Sequence, residues 1–213
     1  MLSHEEVRAQ CMEAMGAKLG AMYCDLNDHL LDLCLIWKQY EQLFTVDQET
    51  VMLLNKSAPT FFGVIQSQLW DSVILGISRL TDPPEMRSNK NLSIKALLPL
   101  IADDTVHSKV QELCSQAESA AEFARNQRHK RIAHNDLAHI RDKSAHPLIG
   151  ASREKIKESL DSICAVLESI NGHYRESTML YEDLIFDGGP GALVALMRDG
   201  LAHRELEEQE LDQ

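Results

Sequence analysis

Apolar residues recur at helical spacing along most of this chain. In the clearest stretch the interval alternates between four and three residues, at Leu26, Leu30, Leu33, Trp37, Tyr40 and Phe44. This alternation is typical of a long helix that packs against another helix. Similar patterns predict long helices at about 60–80, 104–140 and 152–170. Because the connections are short, we expect an all-α fold, an antiparallel bundle of four long helices with additional short helices.

Capping residues and breakers mark where the predicted helices begin and end. Asp47, Ser152 and either Asp103 or Asp104 stand at positions that suit helix N-caps, and Ser93 can cap a short helix after it. Asp82, which two prolines follow, is interpreted as a helix stop rather than as part of a site. These signals place most of the chain in helices joined by short polar connections.

The pattern predicts one domain that spans residues 1–213. Segment 1–23 is helical in composition, but Gly16 and Gly20 interrupt it, so we expect either a flexible extension or a separate helix. The acidic tail 205–213 is expected to be frayed, as chain ends often are.

The composition agrees with a helical protein. Aromatic residues make up only 5% of the 213 residues, whereas strands draw on aromatic and β-branched side chains. The five cysteines include no C-x-x-C pair, which favours reduced core residues over a disulfide framework or a zinc site. The chain lacks the basic and apolar start of a signal peptide and any apolar run of about 18 to 20 residues. We therefore expect a soluble cytoplasmic protein.

Charge is distributed unevenly along the chain. The net charge of -12 argues against general binding to duplex DNA, which relies on broad basic surfaces. One short segment is nevertheless basic and rich in polar donors, and contains Arg125, Asn126, Arg128, His129, Lys130, Arg131 and His134. Concentrated positive charge on an acidic protein indicates a local site for an anion.

The residue types in this segment suit phosphodiester chemistry. A histidine exchanges protons near neutral pH, and an arginine beside it can hold the phosphate oxygens. Together they are the minimum needed to cleave a phosphodiester without a metal. A solvated basic helix face with an incidental histidine would show the same residue types. The apolar neighbours Ile132, Ala133 and Leu137 favour instead a buried or interface position for His134.

On an ideal α-helix, Arg128 and His134 do not share a face. Arg128 would lie about 120° and Arg125 about 180° from His134, whereas Lys130 and Arg131 would lie within about 60° of it. A site that uses both Arg128 and His134 therefore needs a distortion of the helix or a second subunit. In a two-fold dimer with this helix at the interface, both copies would line one cleft.

The segment resembles the HEPN domain (higher eukaryotes and prokaryotes nucleotide-binding), in particular its abortive-infection U-type subfamily. The mark of that family is an arginine, four to six residues of any kind and a histidine, and five residues separate Arg128 from His134. His129 follows the arginine, where the family commonly has Asn, Asp or His. The subfamily signature, a basic run that ends in Arg-Ile-Ala-His-x-Asp-Leu, is similar to Arg131-Ile132-Ala133-His134-Asn135-Asp136-Leu137.

The resemblance covers about residues 26–167, and two upstream strings, 78–83 and 91–94, are similar to a helix end and a leucine-rich helix of the subfamily. The pair Arg125-Asn126 is the more usual one in the family, but seven residues then separate Asn126 from His134, which exceeds the family spacing. We therefore favour the register of Arg128, with Asn126 as an auxiliary hydrogen-bonding residue. Which arginine is primary stays open.

The resemblance implies a homodimeric bundle with the motif at the two-fold axis, and metal-independent cleavage of RNA in phage defence or a toxin-antitoxin system. Arg128, His134 and His129 would then be catalytic. The substrate-binding residues would be Arg125, Asn126, Lys130 and Arg131. Besides RNA, the possible partners are an antitoxin and a nucleotidyltransferase. Binding to a membrane is not expected.

Other functions are compatible with the same residues. One is a non-catalytic HEPN-like module that binds a nucleotide, RNA or a protein partner such as a nucleotidyltransferase. Another is a helical structural protein whose basic helix only contacts solvent. A metal or cofactor is not expected, because the spacings of five and seven between successive histidines lack the i,i+3 or i,i+4 pair of a helical metal site. The histidines in question are His129, His134, His139 and His146.

Overall fold

The computed structural model describes residues 3–181 and 188–211. Helices dominate these ranges, so the predicted all-α class is confirmed. The α-helices are α1 His4–Met15, α2 Ala17–Phe44, α3 Gln48–Ser57, α4 Pro59–Leu80, α5 Asp104–Ala120, α6 Glu122–Gln127, α7 Leu137–Arg141, α8 Arg153–Arg175 and α9 Pro190–Leu211. The remaining elements are a 3₁₀ helix Ile94–Leu100, a π-helical turn Arg128–Ile132, and the strands β1 Glu85–Met86 and β2 Asn89–Lys90. The two strands form an antiparallel hairpin in which Glu85 pairs with Lys90.

Side-chain caps begin several of these helices at the predicted residues. The carboxylates of Asp47 and Asp103 and the hydroxyl of Ser152 each accept a hydrogen bond from the backbone N–H three residues later. Such a bond satisfies one of the N–H groups that the first helical turn leaves without a partner. The prediction for Ser93 is wrong, because its buried hydroxyl makes no capping bond and has no hydrogen-bond partner within residues 3–181 and 188–211.

The chain divides into two compact units, one formed by residues 1–34 and 73–182 and the other by residues 35–72 and 183–213. Helices α2 and α4 contribute residues to both units. The candidate site lies entirely in the first unit.

The helix pair α5 and α8 forms the centre of the first unit. The Ser159 hydroxyl, near the start of α8, donates to the Ala120 carbonyl at the end of α5, over 3.0 Å. Thr105 at the start of α5 lines one groove with His173 near the end of α8, so the two helices run antiparallel as predicted. Buried apolar side chains fill the first unit around them, among them Val110, Ala117, Ile156, Ile163, Leu167 and Ile170.

In the N-terminal segment, α1 is a helix of its own, whereas residues 17–23 form the first part of α2 and Gly20 does not interrupt it. Gly16 ends α1 with a φ of 83°, a conformation that favours glycine. Helix α1 then packs back along α2, where Arg8 and Asp25 form an ion pair of 2.5 Å. A Cβ at Gly20 would lie 2.4 Å from the Cys11 carbonyl oxygen, so glycine is required for this close approach.

The second unit has its own apolar cluster, formed by Leu43, Leu54, Phe62 and Val194. Helices α3 and α9 run parallel here, because Glu49 pairs with Arg198 and, about two turns further along both helices, Lys56 pairs with Glu205. The acidic tail is helical as far as Leu211, contrary to the expectation that it is frayed. Residues 212 and 213 lie outside the described ranges.

The prediction of one long helix at 104–140 is wrong after Ala120. Helix α5 ends at Ala120, α6 follows for six residues, and residues 128–132 form the π-helical turn. Residues 133–136 are not helical, and α7 begins only after them. Sequence periodicity does not reveal such a break, because the apolar residues on both sides keep a helical spacing.

Candidate functional site

The basic segment departs from α-helical geometry at Arg128. The Ala133 N–H donates to the Arg128 carbonyl five residues earlier, over 2.8 Å, and the Asp136 N–H donates to the Lys130 carbonyl six residues earlier, over 3.0 Å. The Asp136 carboxylate then accepts from the His139 N–H at 2.8 Å and starts α7. Turns wider than an α-turn are rare and occur frequently at functional sites.

This distortion brings two histidines together within one chain. The ring centroids of His129 and His134 are 5.8 Å apart and the rings are nearly perpendicular, at 84°. On an ideal helix, residues five apart would point about 140° away from each other. Both rings are exposed to solvent. The segment therefore contains a helix distortion, and the contact seen at it is between His129 and His134.

Arg128 is held by an acidic residue that follows another helix. Its Nη1 lies 2.5 Å from Oδ2 of Asp82, which directly follows α4 and the Thr81 turn. The side chain of Arg128 is 25% exposed and that of Asp82 is 11% exposed. The charge of Arg128 is therefore compensated, while part of the guanidinium still reaches solvent. The sequence interpretation of Asp82 as a helix stop missed this contact, for which no local signal exists.

Arg125 lies one turn before Arg128 and has a different set of contacts. Its guanidinium donates to the Thr81 hydroxyl at 3.2 Å and to the Glu118 carbonyl at 2.5 Å. It therefore ties α6 to the end of α4 and to α5. The two arginines reach consecutive residues, Thr81 and Asp82, but only Arg128 meets a carboxylate there.

Asn126 and Gln127 hold the segment that leads into α8. The Asn126 side-chain oxygen accepts from the Ile149 N–H at 3.0 Å, and the Gln127 side-chain nitrogen donates to the Ile149 carbonyl at 2.8 Å. Arg131 in turn donates through Nε to the Gln127 side-chain oxygen at 3.0 Å. Of the residues predicted to bind substrate, Asn126 and Arg131 thus have contacts within the chain that stabilise the site's surroundings.

Lys130 and the residues after His134 complete the surface of the segment. Asp136 has a lowered pKa, first because the His139 N–H donates to its carboxylate and further because the positive charge of Lys130 is near.

The exposed side chains of Leu137 and Ile140 lie one turn apart on α7. An apolar patch therefore lies beside the exposed histidines along the chain.

The structure thus brings His129 and His134 together, and gives Arg125, Asn126 and Arg131 contacts within the chain. Within the described ranges, no group of three or more His, Cys, Asp or Glu residues could hold a metal ion. None of the helices in those ranges combines the length and the apolar character that crossing a membrane requires.

The HEPN family model of the AbiU2 type matches residues 16–187, which include all of this segment. The match covers well over half of the chain, and the chain therefore belongs to the AbiU2 family of HEPN domains, as its motif indicated. It is an HEPN module of abortive infection. Among curated proteins and among solved structures, none matches the chain.

Proposed function

We propose that this HEPN module is a metal-independent endoribonuclease that acts in abortive infection or a toxin-antitoxin system. The observation that carries the proposal is the pair of exposed imidazoles, His129 and His134, whose ring centroids are 5.8 Å apart in the motif that begins at Arg128. Two adjacent histidines can serve as the base and the acid of one reaction. Arg128, which precedes His129 in the chain, would stabilise the charge that develops on the phosphate.

The reaction follows from these roles. One imidazole removes the proton of a ribose 2′-hydroxyl, and the 2′-oxygen attacks the adjacent phosphorus. The bond from phosphorus to the 5′-oxygen breaks, and the second imidazole protonates that oxygen. Arg128 binds the non-bridging oxygens. The products are a 2′,3′-cyclic phosphate and a 5′-hydroxyl end, and DNA is resistant because it lacks the 2′-hydroxyl.

HEPN domains often dimerise, and we propose that this one forms a homodimer through the face that carries the motif. The exposed Leu137 and Ile140 support this proposal, because a second copy would remove their apolar surface from water. With the two histidines already adjacent in one chain, the second copy would add a further motif to one cleft that binds RNA.

The test is incubation of RNA with the wild-type protein and with His134→Ala in the presence of EDTA. We expect the wild type to cleave and the variant to lose cleavage, with a cyclic phosphate at the new 3′ end. His203→Ala is the matched control, because His203 is also exposed but lies on α9. Cleavage by neither protein, or equal cleavage by both, would contradict the proposal.

The second candidate is a non-catalytic module that binds RNA, a nucleotide or a protein partner such as a nucleotidyltransferase. It is favoured by the contacts of Arg125, Arg131 and Asn126 within the chain, which leave fewer groups for a substrate than the motif alone suggests. Binding of RNA or of a partner without any turnover would support this candidate over the ribonuclease.

A further inference from the structure

Asp82 is a buried carboxylate whose side chain depends on Arg128. As a whole the residue is 8% exposed. Its Oδ2 pairs with Arg128, whereas its Oδ1 is buried and has no hydrogen-bond partner among the described residues. A buried charge is strongly unfavourable unless it is paired. Among the described residues, Arg128 is the side chain seen to bond this carboxylate. Without Arg128, the negative charge of Asp82 would therefore be buried and unpaired.

The contact restrains Arg128 at one end only. In the described part of the chain, its guanidinium donates to Asp82 through Nη1, and no bond from Nε or Nη2 is seen. A guanidinium carries five N–H donors in a planar fork that matches two phosphate oxygens. An arginine held by one nitrogen can thus still bind a phosphate with the others.

We propose that Asp82 is the positioning residue of the site: it fixes the guanidinium of Arg128 so that its remaining N–H groups face a phosphate of the RNA. The inference rests on the proposed ribonuclease function and deepens it. Asp82 itself acts only through Arg128, because its free Oδ1 is out of reach of solvent and hence of substrate. Fixing the arginine in advance removes side-chain entropy that binding would otherwise have to overcome.

The experiment is a double-mutant cycle with Asp82→Ala, Arg128→Ala and the combined variant. Cleavage of RNA and binding of a 2′-O-methyl oligoribonucleotide, which cannot be cleaved, are both measured. We expect Asp82→Ala to lower the cleavage rate by about 10- to 100-fold in the wild-type background, as for a misplaced catalytic group. In the Arg128→Ala background it should have almost no further effect, because interacting residues are not additive.

Two further variants separate positioning from folding. Asp82→Asn keeps a side-chain oxygen that accepts from Arg128, so it should restore part of the activity that Asp82→Ala loses. Asp25→Ala removes an arginine–carboxylate pair of the same 2.5 Å length, between Arg8 and Asp25, far along the chain from the motif. It should leave cleavage unchanged. An equal loss with Asp82→Ala in both backgrounds, unchanged cleavage or faster cleavage would each overturn the proposal.

Inorganic phosphate provides a readout that does not require RNA. Binding to the folded state raises the melting temperature, and we expect this rise in the wild type, a smaller one in Asp82→Ala and none in Arg128→Ala. If phosphate binding depends on Asp82 but RNA is not cleaved, the ribonuclease function fails and the positioning role stands. If phosphate stabilises the wild type and Asp82→Ala equally, or stabilises neither, the positioning role is wrong whatever the result with RNA.

Discussion

The helix pair α5–α8 and the segment from Arg128 to Ile149 belong to the same compact unit but are stabilised differently. In the helix pair, Val110 and Ile163 are fully buried, and burial of an apolar side chain of this size contributes about 1.5–3 kcal/mol. In the segment, His129 and His134 are exposed, and single hydrogen bonds such as that from Ile149 to Asn126 hold the backbone.

The difference shows why the fold and the site respond to different substitutions. Each hydrogen bond contributes only about 0.5–1.5 kcal/mol net, so the segment adds little to global stability. Its backbone conformation nevertheless decides which side chains meet. Substitutions in α5–α8 should therefore change stability, whereas substitutions in the segment should change activity.

The largest expected effect is on activity. His129→Ala and His134→Ala should each lower the rate of RNA cleavage by about 100- to 10,000-fold, the range of general acid–base catalysis. The double variant should be little worse than either single one, because the two imidazoles act in one reaction. Cleavage assays over hours, together with thermal unfolding, measure this. If the melting temperature falls together with the rate, these substitutions act on stability as those in the core do, and the expected difference between site and core is wrong.

A substitution in the helix pair should have the opposite outcome. Ile163→Ala should lower the free energy of unfolding by about 2–5 kcal/mol, because it leaves a cavity in a fully buried position. Urea denaturation measures this, with Leu196→Ala as the control. Leu196 on α9 is 70% exposed and lies outside the motif, so its truncation should change stability by less than about 0.5 kcal/mol. Equal effects of the two substitutions would contradict the burial shown here.

A smaller effect on stability is expected from Asn126, which lies on α6 and bonds to the end of the segment at Ile149. Asn126→Ala removes the acceptor of the Ile149 N–H and should lower stability by about 1 kcal/mol. Hydrogen exchange of the Ile149 amide should become faster, while amides within α8 keep their protection. If the Ile149 amide remains as protected as before, the hydrogen bond does not hold this segment.

The smallest effect concerns the start of α7. The His139 N–H lowers the pKa of Asp136 below its ordinary value of 3.8, so the ionised carboxylate favours the folded state. This contribution is complete above the ordinary value and is lost as the pH falls through the lower folded value. Hydrogen exchange at the His139 amide should therefore accelerate only below about pH 4. Asp136→Asn keeps a capping side chain and should abolish this acid dependence; an unchanged acid dependence would point to another group.

Much of the fold could be predicted from the sequence, because it depends on local chemistry. Asp47, Asp103 and Ser152 cap helices where expected, since a cap needs only a short polar side chain before a helical run. Buried positions such as Ile156 and Leu167 follow the helical period. The prediction of a single domain remains untested, whereas contacts divide the chain into two compact units.

The geometry of the site was predictable only in part. The sequence shows the residue types of the motif and indicates its family. The angles between Arg128 and His134 were those of an ideal α-helix, whereas residues 128–132 form a π-helical turn. The π-helical turn depends on competition between α-helical bonds and the bonds that Ala133 and Asp136 make to Arg128 and Lys130. Such small differences in backbone energy are not visible in a pattern of apolar residues.

The sequence by itself determined the helical class, the family and the residue types from which a phosphate site can be made. These properties follow from periodicity and from short-range chemistry along the chain. Only the tertiary structure decided that His129 lies beside His134 and that Asp82 pairs with Arg128 across 46 residues. The physical reason is that both contacts depend on where the backbone turns. The residues next to a side chain in the sequence do not indicate which distant residue it will contact.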